Sequence, residues 1–264
     1  MTITFHKYHG TGNDFIIING FEQVIPEIQP AQIARMCDRH LGIGADGLII
    51  LRPDKGLLDF GMDYFNADGH PGSMCGNGGR CAVQFARAEG IFHSVKTRFS
   101  AFDGEHWAQV RDQEQISLGM APAGNISPIS DKDWFTDTGS PHVVRLVSNP
   151  DKIDVFAEGR KIRQAEVFSP GGTNVNFVSF RNRDIYVRTY ERGVENETLS
   201  CGTGVVASAL VVGKILSLTG GFKIKTRGGN LEVNLSPDLH DITLTGPAIK
   251  VFEGELDLNG GWAS

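Results

Sequence analysis

Two cysteines stand in the same local frame, Cys75-Gly76-Asn77-Gly78 and Cys201-Gly202-Thr203-Gly204. Each is followed by a run with helical character, Gly79-Arg80-Cys81-Ala82-Val83-Gln84-Phe85-Ala86 in one case and Val205-Val206-Ala207-Ser208-Ala209-Leu210-Val211-Val212 in the other. A thiol at a helix N-terminus meets unpaired backbone N–H groups and the positive end of the helix dipole, which stabilise its thiolate. The same terminus binds carboxylates and other anions. Two such thiols suit a reaction that inverts a carbon bearing hydrogen. One removes the proton from one face, the other returns a proton to the opposite face, and both can be tuned near the working pH. The carbanion-like transition state needs charge stabilisation at the adjoining carboxylate, and the N–H groups around Gly76-Asn77 and Gly202-Thr203 are placed to supply it.

Those thiols must be delivered by something, and the elements around them repeat. A helix apolar on nearly every side is a buried helix, so each half of the chain is expected to bury the helix that its cysteine opens. In the first half, strands are predicted over Ile3–Tyr8, Ile16–Asn19, Leu48–Leu51 and Phe60–Asn66, with a helix over Ala31–Arg39 after Pro30. Gly90 ends the Cys75 helix, and hairpin-spaced strands follow over Val95–Ala101, Gly104–Val110 and Gln115–Met120. The second half is predicted to place strands over Trp134–Thr138 and Val143–Val147, a loop at Gly139-Ser140-Pro141-His142, and a helix within Lys152–Gln164. Strands at Val175–Phe180 and Ile185–Glu191 then lead through a loop, Arg192–Ser200, to Cys201. Lys223–Thr226, Leu231–Leu235, Ile242–Thr245 and a final strand, Ile249–Leu256, close the chain.

The fold class read from this pattern is α+β with mixed sheets: two pseudo-symmetric domains, each a curved mixed sheet or barrel wrapped around a central buried helix. The halves are expected at residues 1–120, joined by the C-terminal strand in 249–264, and at 121–248, with a single active site between them. Helices alternating with single strands would have pointed to a doubly wound parallel sheet; hairpin spacing does not.

Bulk properties exclude several classes. Of 264 residues, 40% are hydrophobic and 21% charged, as in an ordinary globular protein, and a net charge of −6 gives no grip on nucleic acid. The opening Met1–Lys7 lacks a basic region followed by an apolar run, and no apolar stretch is long enough for a membrane, so the expectation is a cytoplasmic protein. The four cysteines are too few for a disulfide scaffold, and without a Cys-x-x-Cys pair they do not form a zinc site or a thiol redox motif. Cys37 and Cys81 read as core filling. The glycine loops match neither a P-loop nor a dinucleotide fingerprint. Asp14, Asp46 and Asp68 lie in glycine-rich turns, where an aspartate serves the local backbone. No metal and no cofactor is expected.

At this point the chain resembles the diaminopimelate epimerase family. The resemblance rests on Gly10-Thr11-Gly12-Asn13-Asp14-Phe15, Gly42-Ile43-Gly44-Ala45-Asp46-Gly47, Phe65-Asn66-Ala67-Asp68-Gly69 and Cys75-Gly76-Asn77-Gly78-Gly79-Arg80-Cys81. It continues in order through Pro141-His142, Asn174, Tyr190-Glu191-Arg192-Gly193 and Cys201-Gly202-Thr203-Gly204. The resemblance implies a pyridoxal-independent epimerase interconverting LL- and meso-diaminopimelate, on the way to lysine and peptidoglycan. It implies Cys201 as proton acceptor from the LL isomer and Cys75 as donor. Asn13, Asn66, Asn174, Glu191 and Arg192 would hold the substrate, chiefly its distal amino-acid end, with Gly76, Asn77, Gly202 and Thr203 at the helix termini. His142 and Glu191 would modulate the thiol pKa values. The small-molecule substrate is the only partner implied, leaving monomer or homodimer open.

Two positions depart from the family pattern. Some members carry glutamine where Gly47 stands and asparagine where Ser140 stands. A side-chain contact at position 47 must be lost or supplied by another residue, whereas Ser140 can still hydrogen-bond. The competing readings are a proline or hydroxyproline racemase of the same broad fold and a non-catalytic amino-acid binding protein. The first would have no second zwitterionic end for Glu191-Arg192 to hold; the second would not need paired thiols.

Overall fold

The computed structural model describes residues 1–72, 74–112, 114–122 and 124–258. Two compact units emerge, one formed by Met1–Leu118 with the segment from Pro247 on, the other by Gly119–Gly246.

In the first unit, β1 (Thr2–Gly10) pairs antiparallel with β2 (Asn13–Asn19), then α1 (Pro30–Cys37) crosses over to β3 (Gly47–Arg52), which is parallel to β2. β4 (Phe60–Asn66) runs antiparallel to β3 and feeds α2 (Gly76–Ala88). The chain returns as β5 (Lys96–Ala101), parallel to β4, then turns back through the antiparallel β6 (Gly104–Val110) and β7 (Gln115–Met120).

In the second unit, a short β8 (Ser127–Pro128) pairs with β9 (Asp133–Asp137), which is antiparallel to β10 (Pro141–Leu146). α3 (Val155–Arg163) crosses over to β11 (Asn174–Arg181), parallel to β10, and β12 (Asp184–Glu191) runs antiparallel to β11. A short β13 (Asn196–Thr198) folds back on β12 before α4 (Gly202–Leu216). β14 (Gly220–Thr226) lies parallel to β12, and β15 (Gly229–Leu235) and β16 (Ile242–Pro247) follow antiparallel. The order of antiparallel and parallel pairings is thus the same in both units, strand for strand. To the first unit is added β17 (Ile249–Asp257), antiparallel to β1.

The central helices explain the curvature. Within its unit α2 touches β1, β2, β3, β6 and β17, and α4 touches β9, β10, β11, β12, β14 and β15. A flat sheet cannot meet one helix with so many strands; the sheet must wrap it. The first three turns of α2 are buried on almost every side, as is α4 from Gly204 to Gly213. Gly90, at φ 71°, follows the end of α2 and lets the Ile91 N–H reach the Ala86 carbonyl at 2.9 Å. The Val-rich face of α4 joins Val187, Phe222, Ile224, Val233 and Leu244 in one apolar cluster. Among the described residues no helix is long and apolar enough to cross a membrane.

Several local expectations need correction. α1 stops at Cys37, two residues short of Arg39, because the Asp38 backbone turns extended. The helix within Lys152–Gln164 is found as expected: it is α3, whose start is fixed by the Asp154 side chain accepting from the Ala157 N–H, and a separate 3-10 turn, Pro150–Lys152, precedes it. Pro141 and His142 are not loop residues but open β10; a proline at a strand's first residue forfeits no needed donor. β13 interrupts the stretch Arg192–Ser200, expected to be a loop.

Because Leu210 is 1% exposed inside the α4 cluster, Leu210→Ala should destabilise the protein by about 2–5 kcal/mol, cavity included. Urea unfolding checks this; a loss under about 1 kcal/mol would mean that the sheet collapses around the gap.

Candidate functional site

The two cysteines occupy the same structural position. Cys75 and Cys201 are the N-cap residues of α2 and α4, with extended backbones (φ −87°, ψ 130° and φ −115°, ψ 113°), and neither side chain caps its helix. The first helical bonds run from the Gly79 N–H to the Cys75 carbonyl at 2.7 Å and from the Val205 N–H to the Cys201 carbonyl at 2.9 Å. The first N–H groups of an α-helix find no acceptor within the helix's own ladder. Glycine dominates both first turns because the helices start in crowded surroundings. A Cβ on Gly204 would overlap Asn176 Oδ1 and lie 3.4 Å from Cys201 Sγ.

In the first unit, Cys75 is half-buried. Its Sγ lies 3.5 Å from Asn13 Oδ1, which also accepts from Asn77 Nδ2 at 3.1 Å. Asn13 Nδ2 donates to Asp46 Oδ2 at 2.6 Å. Asn13, Cys75, Gly76 and Asn77 therefore form one cluster. Asn66 stands at the exposed end of β4, its Nδ2 3.4 Å from the His70 carbonyl. Opposite it, Gly47 has no room for a side chain: a Cβ would sit 2.6 Å from both the Phe65 carbonyl oxygen and Tyr64 Cε2. The Tyr64 ring fills that space, and a Cβ on Gly72 would press it from the other edge at 2.8 Å.

The second unit builds its cluster on His142, which is fully buried. Asn176 Nδ2 donates to the Val143 carbonyl at 3.1 Å and faces His142 Nδ1 at 3.1 Å, while Asn176 Oδ1 accepts from the Thr189 hydroxyl. Since the Val143 carbonyl can only accept, an N–H meets Nδ1, and the neutral ring carries its proton on Nε2. That Nε2 lies 3.0 Å from both Ser140 Oγ and Thr203 Oγ1. Thr203 Oγ1 is in turn 3.5 Å from Cys201 Sγ. Burial, and then the Arg192 charge, push the His142 pKa down to about 3, so the ring is neutral at working pH. Asn174 Nδ2 donates to Ser140 Oγ and the Pro141 carbonyl, and its Oδ1 accepts the Arg192 N–H at 2.9 Å. Glu191 Oε2 accepts from the Thr198 hydroxyl at 2.8 Å.

The structure thus joins His142, Ser140, Thr203 and Cys201 with Asn174, and joins Asn174 with Arg192 through the backbone. Asn176, Thr189 and Asp46 were not singled out as site residues. Asn176 had a faint signal, since it shares a strand face with Asn174. Burial pushes the Cys37 and Cys81 thiols up to about 12.

Comparison with known proteins then bears on which reaction these clusters serve. The model of the family described as diaminopimelate epimerase matches residues 5–125 and 134–251. The chain belongs to that family. The diaminopimelate epimerase of Flavobacterium psychrophilum is 45% identical over 94% of this chain and 98% of its own length. That of Chlorobaculum tepidum is 44% identical over 94% and 99%. Solved structures share the fold at much lower identity. A Bacillus anthracis phenazine biosynthesis protein of the PhzF family superposes with TM-score 0.74 at 14% identity, over 98% of this chain and all of that one. A hydroxyproline epimerase from Agrobacterium vitis reaches 0.70 at 15%, over 98% and 94%. The fold likeness is consistent with two pseudo-symmetric units of mixed sheet.

Two outcomes are expected. In the folded protein, iodoacetamide at neutral pH should modify Cys75 and leave Cys37 and Cys81 unlabelled; peptide mass spectrometry reads this directly, and early labelling of Cys81 would contradict its burial. His142 gives a pH signature. Between pH 6.5 and about 3 the unfolded chain takes up a proton that the folded protein refuses, so stability falls as pH falls through that window. Above it, both states are neutral and the group adds no slope. His142→Gln should flatten that part of the profile, seen as a smaller difference between urea midpoints at about pH 7 and about pH 4.

Proposed function

We propose that the protein epimerises LL-diaminopimelate to meso-diaminopimelate by a two-base mechanism that needs no pyridoxal. In this reading the Cys201 thiolate takes the α-proton, becoming a thiol, and leaves an electron pair delocalised into the substrate carboxylate. The Cys75 thiol delivers its proton to the opposite face of the same carbon and becomes a thiolate. One proton has passed from Cys75 to Cys201 and one stereocentre is inverted; exchange with solvent resets the thiols. The observation that carries this reading is the matched pair of cysteines at uncapped, buried helix N-termini, in a chain whose relatives bear the same activity in their names.

The parts have complementary tasks. The N–H groups at Gly76-Asn77 and Gly202-Thr203, in the first turns of their helices, stabilise charge developing on the carboxylate. Thr203, accepting from His142 Nε2–H, keeps its own proton for the Cys201 sulfur, which favours the thiolate. Glu191 and Arg192, with Asn13, Asn66 and Asn174, hold the distal amino-acid end, Arg192 by a bidentate grip on its carboxylate. That clamp favours diaminopimelate over proline-sized substrates. The Agrobacterium vitis protein that binds hydroxyproline is similar to this chain in fold alone. The setting consistent with the reaction is the cytoplasm, with lysine and peptidoglycan precursors as its products.

The test is proton NMR of LL-diaminopimelate in heavy water with reduced protein and no added cofactor. Loss of the α-proton signal with growth of the meso isomer is expected. Cys75→Ala and Cys201→Ala should each lose at least a thousandfold in kcat, about 4 kcal/mol of barrier. An unreactive reduced wild type would overturn the substrate assignment, and near-normal turnover by either variant would overturn the two-base mechanism.

A further inference from the structure

Arg80 is the largest fully buried side chain among the described residues, and no carboxylate is among its partners. Its Nη2 donates to Asn77 Oδ1 at 2.9 Å and to Thr11 Oγ1 at 3.5 Å, its Nη1 donates to the Gly76 carbonyl at 3.2 Å, and its Nε has no partner. A buried cation so placed is costly unless its charge is used. Even the backbone makes way for it: a Cβ on Gly10 would lie 3.2 Å from Nη2. At the other end of the same cluster stands Asp46, held by Arg39 Nη2 at 2.8 Å and taking Asn13 Nδ2 at 2.6 Å.

These two charges settle which way two amides point. A carboxylate only accepts and a guanidinium only donates. Asp46 therefore requires the NH2 group of Asn13 and turns Asn13 Oδ1 toward Cys75 Sγ. Arg80 requires Asn77 Oδ1 and turns the Asn77 NH2 group toward that same Asn13 oxygen. Reversing either amide would set like poles face to face at both of its ends. Cys75 Sγ, 3.5 Å from an oxygen that can only accept, is left as the donor.

We propose that Asp46 and Arg80 are positioning residues for the acid thiol, orienting Asn13 and Asn77 so that the resting protein keeps Cys75 as S–H. The inference rests on the two-base reading above and deepens it by assigning the resting proton. Arg80 also acts through space in the opposite sense, since its charge favours the ionised sulfur. The hydrogen-bond frame holds the thiol protonated, and the charge limits how firmly it does so. The other charged groups facing this cluster are already engaged. Lys7 and Arg39 hold Asp14, whose carboxyl burial alone would raise but whose hydrogen bonds from Arg39 and Lys7 keep at about 2. Asp103 accepts from the Met74 N–H at 3.4 Å and pairs with His106 at 3.1 Å. In the second unit the place matching Arg80, five residues after the cysteine, is Val206. The two thiols therefore work in different electrostatic settings.

The test is the pH dependence of alkylation, followed peptide by peptide with iodoacetamide, reading midpoints so that accessibility cancels. In the wild type Cys75 should titrate above Cys201. Asp46→Ala should move the Cys75 midpoint down by about one pH unit, a tenfold rise in thiolate fraction below the midpoint. Arg80→Met should move it up, the loss of its through-space charge outweighing the loss of its hold on Asn77. Shifts of opposite sign are not what loosened packing produces. A Cys75 midpoint below that of Cys201 in the wild type, or one unmoved or raised by Asp46→Ala, overturns the proposal. If Arg80→Met does not fold, the Asp46→Ala shift decides alone. A wild type that turns over diaminopimelate but fails these tests overturns the proton assignment only, whereas predicted midpoints without turnover overturn the reaction only.

Discussion

Leaving the first turn of a buried helix uncapped is the constraint on which this molecule is organised. A helix that starts in solvent satisfies its first N–H groups with water or a Ser, Thr or Asp side chain. Here Cys75 and Cys201 occupy the capping position without capping. The wrapping of strands on α2 and α4, the glycines of the first turns and the extended backbone at each cysteine all follow from that requirement. An anion is the natural occupant of such a place, whether a sulfur or a carboxylate.

The same backbone plan is equipped with different chemistry in the two units. Around Cys75 the polar groups are amides whose directions are set by full charges, with Asp46 at one end and Arg80 at the other. Around Cys201 they are hydroxyls and amides arranged about a neutral, buried imidazole. Pseudo-symmetry of strands therefore does not carry over into symmetry of the polar groups around the thiols. The two-base reading calls for an acid and a base at the same moment, and two copies of one environment would not provide them.

Much of this was legible in the sequence, for identifiable reasons. Phe60–Asn66, Gly104–Val110 and Gln115–Met120 were read to the residue because hydrophobic alternation and flanking turn residues agreed. The cysteine helices were read because apolar residues fill both of them. Pro141-His142 was misplaced in a loop because Ser-Pro after Gly reads as a turn, whereas the strand begins on the proline. The polar frame was harder. Asp46 looked like a turn residue serving its own backbone, and its partner Asn13 lies on another strand; Asn176 works through His142 from the neighbouring strand. Such roles depend on parallel pairings, β2 with β3 and β10 with β11, that no local pattern specifies. Gly47 is a different case: the sequence showed a missing side chain, and only the structure shows the Tyr64 ring standing in its place.

The final strand has a consequence for the order in which the chain can fold as it is made. The second unit is continuous, and all its strands exist once Gly246 has been synthesised. The first is not. β1, made before the other described strands, finds one of its two neighbours only when β17 arrives, and Met1 is tied by an ion pair to Asp257. Until then one edge of that sheet is bare, and an unpaired edge beside a hydrophobic face invites the wrong partner. The half of the protein that is translated first is thus the half that must be completed last.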